Sequence, residues 1–276
     1  MFFNHFFHIF ATFLPILHIF AAFLPAIVIL IYVYKQDKFP EPKNIVFKTF
    51  IFGCATVLGI DLIIPVLDNF SESTFKGETY YFFDSFIRAG FVEEIFKAMV
   101  IVFYCTRKSA FDEPIDGIIY GVAASLGFAA YENIGYVQYF AEKTSLMDIS
   151  LTRALSAVPM HGLCGVMMGF LITLSIFEKK HNYLNLVLAI LIPVGMHGLY
   201  NFSLASSVVS YHIANVILFV FFLRAYYLFK DLRQKQKTTE MFYKKRYTIT
   251  VTNFIQAASS VLVFYLILNY LVLITF

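Results

Sequence analysis

Residues 91–103 read FVEEIFKAMVIVF, an apolar run that contains two adjacent glutamates and a lysine. A charged side chain in the middle of a membrane helix costs about 3 kcal/mol, so such residues usually mark a site or an ion pair. Lys97 lies one helical turn after Glu93 and can neutralise it, because side chains four residues apart share a face. Glu94 is rotated by about 100° from Glu93. We therefore expect Glu93 to be paired with Lys97 and Glu94 to face a polar cavity, where it can take a proton from water.

Three later apolar stretches also contain polar residues: Glu132 with Asn133, His161, and His197 with Asn201. From the midpoint of each predicted span and a rise of about 1.5 Å per residue, Glu93 and His197 fall near the centre of the bilayer. The other residues Glu132, His161 and Asn201 fall about 6 Å nearer to the outer face. His197 and Asn201 are four residues apart and share one helix face. We therefore expect the helices to bring these residues together in one layer.

Each of these residues also has a structural explanation. A glutamate and a lysine at helical spacing often form a buried ion pair that holds a bundle together. A lone membrane histidine often forms a hydrogen bond between helices. Asp61 lies in another span at a similar depth, and we interpret it as a structural polar residue or as a partner of the site. Polar residues on four helices at one depth favour a functional site.

Four kinds of group can activate water inside a membrane: a hydroxyl nucleophile, paired aspartates, a metal ion, or a glutamate with histidines. The sequence contains no HExxH zinc motif, no GxSxG-like nucleophile turn, and no second mid-span aspartate to pair with Asp61. A glutamate can deprotonate water while His or Asn donors stabilise the oxyanion. The same residues can instead bind a divalent metal such as zinc. The candidate metal ligands are then Glu94, Glu132, His161 and His197.

The elements that carry these residues are predicted to be transmembrane helices. Of the 276 residues, 59% are hydrophobic and 14% are charged, whereas soluble domains contain about 25% charged residues. An apolar stretch of about 20 residues can cross a bilayer as a helix. The sequence contains eight such stretches, at roughly 13–34, 46–67, 81–104, 117–139, 153–177, 185–208, 211–229 and 249–273. The expected fold is an all-α, polytopic helix bundle in one domain, 1–276, with spans three to six forming the polar core.

Basic residues predict the orientation of the spans, because lysine and arginine concentrate in cytoplasmic connections. The second, fourth and sixth connections contain only Lys76 and Lys143. The odd-numbered connections contain Lys35, Lys38, Lys43, Arg107, Lys108, Lys179, Lys180, Lys230, Arg233, Lys235, Lys237, Lys244, Lys245 and Arg246. We therefore expect the odd-numbered connections in the cytoplasm, both termini outside, and the polar layer displaced towards the outside.

Small residues predict where the helices approach each other closely. GIIYG at 117–121 and GVMMG at 165–169 are both GxxxG patterns, which allow close contact between membrane helices. Spans four and five should therefore approach their neighbours closely. Cys54, Cys105 and Cys164 are isolated and form no CxxC pair, so we interpret them as small packing residues.

The sequence resembles the PrsW family of intramembrane proteases, which is related to the type II CAAX prenyl endopeptidases. The matching segments are YKQDKFPEP after span one, EEIFK in span three, GFAAYENIGY in span four, PMHGLCGVMMG in span five and MHGLYNF in span six. The resemblance covers about residues 20–205. Their order, spacing and assignment to spans agree with the family, and the helices from about 206 to 276 lie outside the match.

The resemblance implies an endopeptidase of the bacterial plasma membrane. Its substrate would be a single-span anti-sigma factor, cut first (site-1 cleavage) near its extracytoplasmic side. By motif, Glu93 and Glu94 match the paired glutamates of the family, and Lys97 matches their lysine. The catalytic residues implied are Glu93, Glu94, His161, His197 and Asn201. The residues implied to bind substrate, stabilise the oxyanion or support the site are Lys97, Glu132 and Asn133.

Two other classes of function are alternatives. A non-catalytic membrane scaffold can have the same bundle, and it would keep its function without Glu94, whereas a protease would not. A transporter also has polar residues at mid-membrane, but broken helices or symmetry between halves are absent from the polar spans. The expected partners are the lipid bilayer and a membrane-protein substrate. Nucleic acid is not expected, because the net charge of +3 comes from short clusters between spans.

Overall fold

The computed structural model describes residues 2–140, 146–178, 180–236, 245 and 247–275, and within these ranges the chain is helical and has no strand. The α-helices are α1 (Phe2–Gln36), α2 (Lys43–Thr74), α3 (Gly77–Phe83), α4 (Val92–Phe103), α5 (Pro114–Phe140), α6 (Leu146–Leu155), α7 (Ala157–Phe177), α8 (Asn182–Ala205), α9 (His212–Lys235) and α10 (Val251–Thr275). A π-helix, Asp84–Phe91, joins α3 to α4, and a short 3₁₀-helix, Cys105–Arg107, follows α4. The predicted all-α bundle is confirmed.

Each of the eight predicted spans overlaps a helical segment, but the third and the fifth are not single regular helices. The fifth, 153–177, is divided at Ser156 between the end of α6 and α7. Within the described ranges, seven helical segments are long and apolar enough to cross a membrane by length and composition. The predicted span 81–104 is divided between the end of α3, the π-helix and α4. A π-helix places more residues in each turn than an α-helix and often occurs next to functional sites. Here it ends immediately before α4, whose first turn contains the two glutamates.

The centre of the bundle is the contact between α5 and α7. Gly117 and Gly121 on α5 face Gly169 and Gly165 on α7, and a Cβ atom at any of these glycines would collide with the opposite helix. The two predicted GxxxG patterns therefore pack against each other, and close approach of these spans is confirmed. This contact places the polar segments of α5 and α7 side by side.

The odd-numbered connections meet at one end of the bundle. Arg107 donates to the carbonyl of Ile249 at 2.8 Å, and the Tyr247 N–H donates to Ile176 O at 3.1 Å. The Arg233 side chain donates to Gln36 at 3.0 Å. The basic residues Lys143, Lys179, Lys237, Lys244 and Arg246, which contribute to the predicted orientation, lie outside the described residues.

At the opposite end, two even-numbered connections meet. The Glu78 carboxylate at the start of α3 accepts hydrogen bonds from the Ser206 and Ser207 hydroxyl groups, at 2.6 and 2.7 Å, and from the Ser207 N–H at 3.0 Å. This arrangement at the two ends is the one that alternating spans require.

Candidate active site

Helix α4 brings three charged side chains into the bundle. Glu94 and Lys97 are completely buried, while 12% of the Glu93 side chain is exposed. Lys97 Nζ lies 2.8 Å from Glu94 Oε1 and 3.6 Å from Glu93 Oε2. The expected pair of Lys97 with Glu93 is therefore present, but Glu94 is the closer partner. Side chains three and four residues apart both share a helix face with the lysine, so spacing alone does not distinguish the two glutamates.

Two histidines face these glutamates from neighbouring helices. His161 lies near the start of α7 and His197 in the second half of α8, and both are buried. Their ring centroids are 5.0 Å apart, and the ring planes are perpendicular, at 89°. The structure therefore brings together the histidines that the sequence placed in separate spans.

A carboxylate holds one nitrogen of each imidazole. His161 Nε2 lies 3.1 Å from Glu132 Oε2, and His197 Nδ1 lies 2.9 Å from Glu94 Oε1. An ionised carboxylate only accepts hydrogen bonds, so the imidazole proton lies on these two nitrogens. The second nitrogen of each neutral ring then carries a lone pair that can accept a hydrogen bond or bind a metal. Histidines that bind metals are commonly held in this way by a carboxylate.

The residues of one group fit a divalent metal. Glu93, His161 and His197 each offer one donor atom, and these atoms lie within 4.8 Å of one another. Glu93 Oε2 is buried and has no hydrogen-bond partner. Two imidazoles and one carboxylate are a common ligand set for catalytic zinc. In this group Glu93 takes the place expected for Glu94 or Glu132, which instead hold the histidine N–H groups.

Lys97 contacts one of the histidines in this group. Its ammonium donates to His161 Nδ1 at 3.1 Å, the nitrogen that Glu132 leaves free. A single lone pair serves either the ammonium or a metal, so a metal bound to His161 Nδ1 would replace this hydrogen bond. Glu94 would still hold the ammonium at 2.8 Å.

Phe128 of α5 separates the charged groups from the rest of the core. Lys97 Nζ lies 4.0 Å from the centroid of its ring, and the ring meets His161 edge to face at 5.3 Å. An ammonium over an aromatic face gains electrostatic stabilisation in a position that no water reaches.

Arg153 on α6 also belongs to the cluster, although the sequence analysis did not identify it. Its Nη2 lies 2.7 Å from Glu132 Oε2, and its Nε donates to Asn133 Oδ1. The sequence signal was an arginine at the start of the apolar span 153–177, since a charged residue at such a position usually has a partner.

Two polar residues singled out in the sequence lie apart from these contacts. Asn201 is half-buried one turn after His197 on α8, and among the described residues it makes no hydrogen bond to the cluster. Asp61 is exposed on α2 and has no ion pair within the described ranges. The interpretation of Asp61 as a partner of the site is therefore not supported.

Known proteins resemble the chain over the region that contains these residues. The profile of the PrsW family intramembrane metalloprotease matches residues 41–226. The chain is 35% identical over 183 residues to Protease PrsW of Bacillus subtilis, covering 66% of this chain and 79% of that protein. It is 33% identical over 182 residues to Protease PrsW of Oceanobacillus iheyensis, covering 65% and 79%.

A third relative, Protease PrsW of Clostridioides difficile, is 32% identical over 198 residues, which cover 70% of this chain and 79% of that protein. No solved structure matches the chain. The family profile covers most of the chain and contains every residue of the buried cluster. The chain therefore belongs to the PrsW family of intramembrane metalloproteases.

Proposed function

We propose that this peptidase cleaves a single-span membrane protein of the anti-sigma-factor type near its extracytoplasmic side, as the first cut of a proteolytic cascade in a bacterial plasma membrane. The observation that carries the proposal is the buried group of Glu93, His161 and His197, whose donor atoms lie within 4.8 Å of one another. The anti-sigma-factor class comes from the resemblance to the PrsW family.

The depth of the site supports cleavage near one membrane face. Glu132, His161 and His197 lie about 5–9 Å from the midpoints of their helices at 1.5 Å per residue. All three are displaced towards the end of the bundle where Glu78 meets Ser206. This end has few lysines and arginines, which favours a position outside the cytoplasm by the positive-inside rule.

Glu93, His161 and His197 would hold a divalent metal. When bound, such a metal activates a water molecule and polarises the carbonyl group that the water attacks. Glu93 Oε2 and Glu94 Oε2 both lack a hydrogen bond, but the Glu93 side chain is the more exposed of the two, so we assign the reacting oxygen to Glu93. The same oxygen would accept the proton of the water in a metal-free reaction. Either route gives Glu93 the central role.

The surrounding residues keep the histidines in place. Glu94 and Glu132 accept the N–H groups of His197 and His161. Lys97 balances the charge of Glu94. We assign Asn201 the role of an amide donor to the carbonyl oxygen of the substrate, because it shares a helix face with His197 and its side chain has no hydrogen bond to the cluster.

The test uses purified full-length protein in liposomes with single-span anti-sigma-factor substrates. We expect cleavage near the extracytoplasmic end of the substrate span, and its loss in Glu93→Gln and His197→Gln. Removal of metal with a strong chelator should abolish cleavage, and one divalent ion should restore it. Full activity in metal-free protein would exclude the metal route. Full activity of both variants would exclude this site, whereas no cleavage of any substrate by the parent protein would favour a scaffold role.

A further inference from the structure

Arg153 is connected to the proposed metal site through one oxygen atom. Glu132 Oε2 accepts a hydrogen bond from Arg153 Nη2 at 2.7 Å and from His161 Nε2 at 3.1 Å. Arg153 is buried, whereas 22% of the Glu132 side chain is exposed. The carboxylate that holds His161 is therefore itself held by the arginine.

Two more contacts fix the guanidinium group. Arg153 Nε donates to Asn133 Oδ1, and the guanidinium carbon lies 3.7 Å from the ring centroid of Tyr136. Asn133 in turn donates to the carbonyl of Ala22 on α1 at 3.2 Å. A planar guanidinium makes all these contacts at once, which a lysine ammonium cannot do. Helices α1, α5 and α6 thus share one rigid polar contact.

We propose that Arg153 is a positioning residue of the peptidase: it fixes the Glu132 carboxylate, which keeps His161 oriented with Nδ1 towards the interior of the cluster. The inference rests on the proposed function. Without the arginine, the partly exposed carboxylate can turn towards solvent, and the His161 Nε2–H loses its acceptor, which leaves the ring held by the Lys97 ammonium at Nδ1. Removal of such an outer partner typically lowers metal affinity or activity by about 10- to 100-fold.

Kinetics of Arg153→Met and Arg153→Lys test the proposal. We expect kcat to fall about 10- to 100-fold in Arg153→Met, with KM unchanged because the residue does not touch substrate. Zinc affinity should fall in parallel, and Arg153→Lys should recover part of both. The control is Arg233→Met, which removes the hydrogen bond of an exposed arginine with Gln36 at the other end of the bundle and should leave kcat and zinc affinity unchanged.

A double-mutant cycle tests whether Arg153 acts through Glu132. In Glu132→Gln the carboxylate is already lost, so adding Arg153→Met should lower kcat no further. If each substitution lowers kcat independently, so that the two effects multiply in the double variant, the proposal is wrong. A lower Tm of Arg153→Met with unchanged kcat and zinc affinity would also overturn it, because Arg153 would then only anchor α6.

NMR of the ¹⁵N-histidine-labelled protein gives a readout that needs neither substrate nor metal. The His161 signals, assigned by comparison with His161→Gln, should show an Nε2–H proton that exchanges slowly with water in the parent protein and faster in Arg153→Met. An unchanged exchange rate of this proton in Arg153→Met would overturn the proposal. Failure of the parent protein to cleave any substrate would contradict the proposed function, while this spectrum would still decide the role of Arg153.

Discussion

The charges of the buried cluster nearly balance when its acidic and basic side chains are ionised. Its three carboxylates, Glu93, Glu94 and Glu132, face two cations, Lys97 and Arg153. Three negative and two positive charges leave one negative charge on a group that includes two histidines. A buried charge without compensation is costly. A bound cation would compensate the remaining negative charge of the cluster. This count agrees with the two carboxylate oxygens, Glu93 Oε2 and Glu94 Oε2, that are buried and have no hydrogen bond.

The two adjacent glutamates should respond differently to substitution. Glu93→Gln removes the free carboxylate but leaves the 2.8 Å pair of Lys97 with Glu94 intact. We expect it to lower cleavage by roughly 100-fold or more with a nearly unchanged Tm. Glu94→Gln removes the closest partner of a buried lysine, a loss of about 3–5 kcal/mol. It should therefore lower the Tm in detergent as well as the activity.

A second substitution tests whether the unpaired charge of Lys97 causes the loss of stability in Glu94→Gln. Lys97→Met added to Glu94→Gln removes the unpaired ammonium and should recover part of the lost Tm. Cleavage rates and Tm values of the purified variants check these expectations. If Glu94→Gln is inactive but stable and Glu93→Gln is active, the assignment is reversed. Glu94 would then take the proton from water and Glu93 would be the partner of Lys97, as the i, i+4 spacing predicted.

The sequence identified most of the residues in the cluster but not their pairing. Glu93 and Glu94 are both within reach of Lys97 along the helix, and the position of His197 on α8 decides which one is held. Glu94 and His197 are 103 positions apart in the sequence, so no local sequence pattern predicts their contact. Arg153 was missed for the same reason, since its partners lie on α5 beyond a change of chain direction.

Glu41, in the connection between α1 and α2, predicts a pH effect outside the membrane. Burial raises the pKa of its carboxyl group from 4.5 to about 7, although hydrogen bonds to Tyr120 and Asp116 favour the ionised form. The folded state therefore binds this proton more tightly than the unfolded state. The stability from the protonated group is complete below pH 4.5 and is lost as the pH rises to about 7.

Thermal unfolding in detergent between pH 4.5 and 8 measures this effect. We expect the Tm of the parent protein to fall over this range and the fall to be smaller in Glu41→Gln, whose amide oxygen can still accept from Tyr120. Burial also raises the pKa of Asp37 and Glu113, so some pH dependence should remain. Glu178→Gln, at an exposed carboxylate, is the control and should leave the slope unchanged. An equal slope in Glu41→Gln would contradict the assignment.

At the scale of the elements, the glycine contact between α5 and α7 should control assembly of the bundle. A Cβ atom at Gly121 would collide with the carbonyl oxygen of Gly165, whereas no atom lies within 4 Å of a Cβ atom at Gly135 on the same helix. We expect Gly121→Ala to lower the Tm and the folded yield, because the backbones must separate. Gly135→Ala should keep or slightly raise the Tm. Equal Tm values for the two variants would show that close packing here contributes little.

The π-helix was not predicted from the sequence. The sequence analysis assigned the run from Asp84 to Phe103 to one regular span, and nothing in its composition marks the wider turn. The structure instead shows Gly90 of the π-helix against the α8 backbone at Val194 and Gly198. The π-helix therefore packs against α8 at this glycine, and it leads directly into the first turn of α4, which holds Glu93 and Glu94.

For the whole molecule, hydropathy predicted the helical architecture because each span must satisfy its backbone hydrogen bonds internally. The GxxxG patterns added one correct contact between helices. The remaining helix neighbours, such as α1 against α5 through Asn133 and Ala22, depend on long-range contacts. Orientation in the membrane follows from charge alone and stays a prediction.

Cysteine labelling tests this orientation. Cys54, Cys105 and Cys164 are free cysteines, so a cysteine-free variant that retains activity provides the background. Lys76, between α2 and α3, and Lys235, at the end of α9, are both exposed and lie at opposite ends of the bundle.

A cysteine at position 76 should react with an impermeant maleimide added to intact cells, because its connection is predicted to lie outside. A cysteine at position 235 should react only after the membrane is permeabilised, and this second step also controls for its reactivity. The reverse labelling pattern would show that the protein has the opposite orientation in the membrane. The buried cluster and the cleavage site would then lie near the cytoplasmic face.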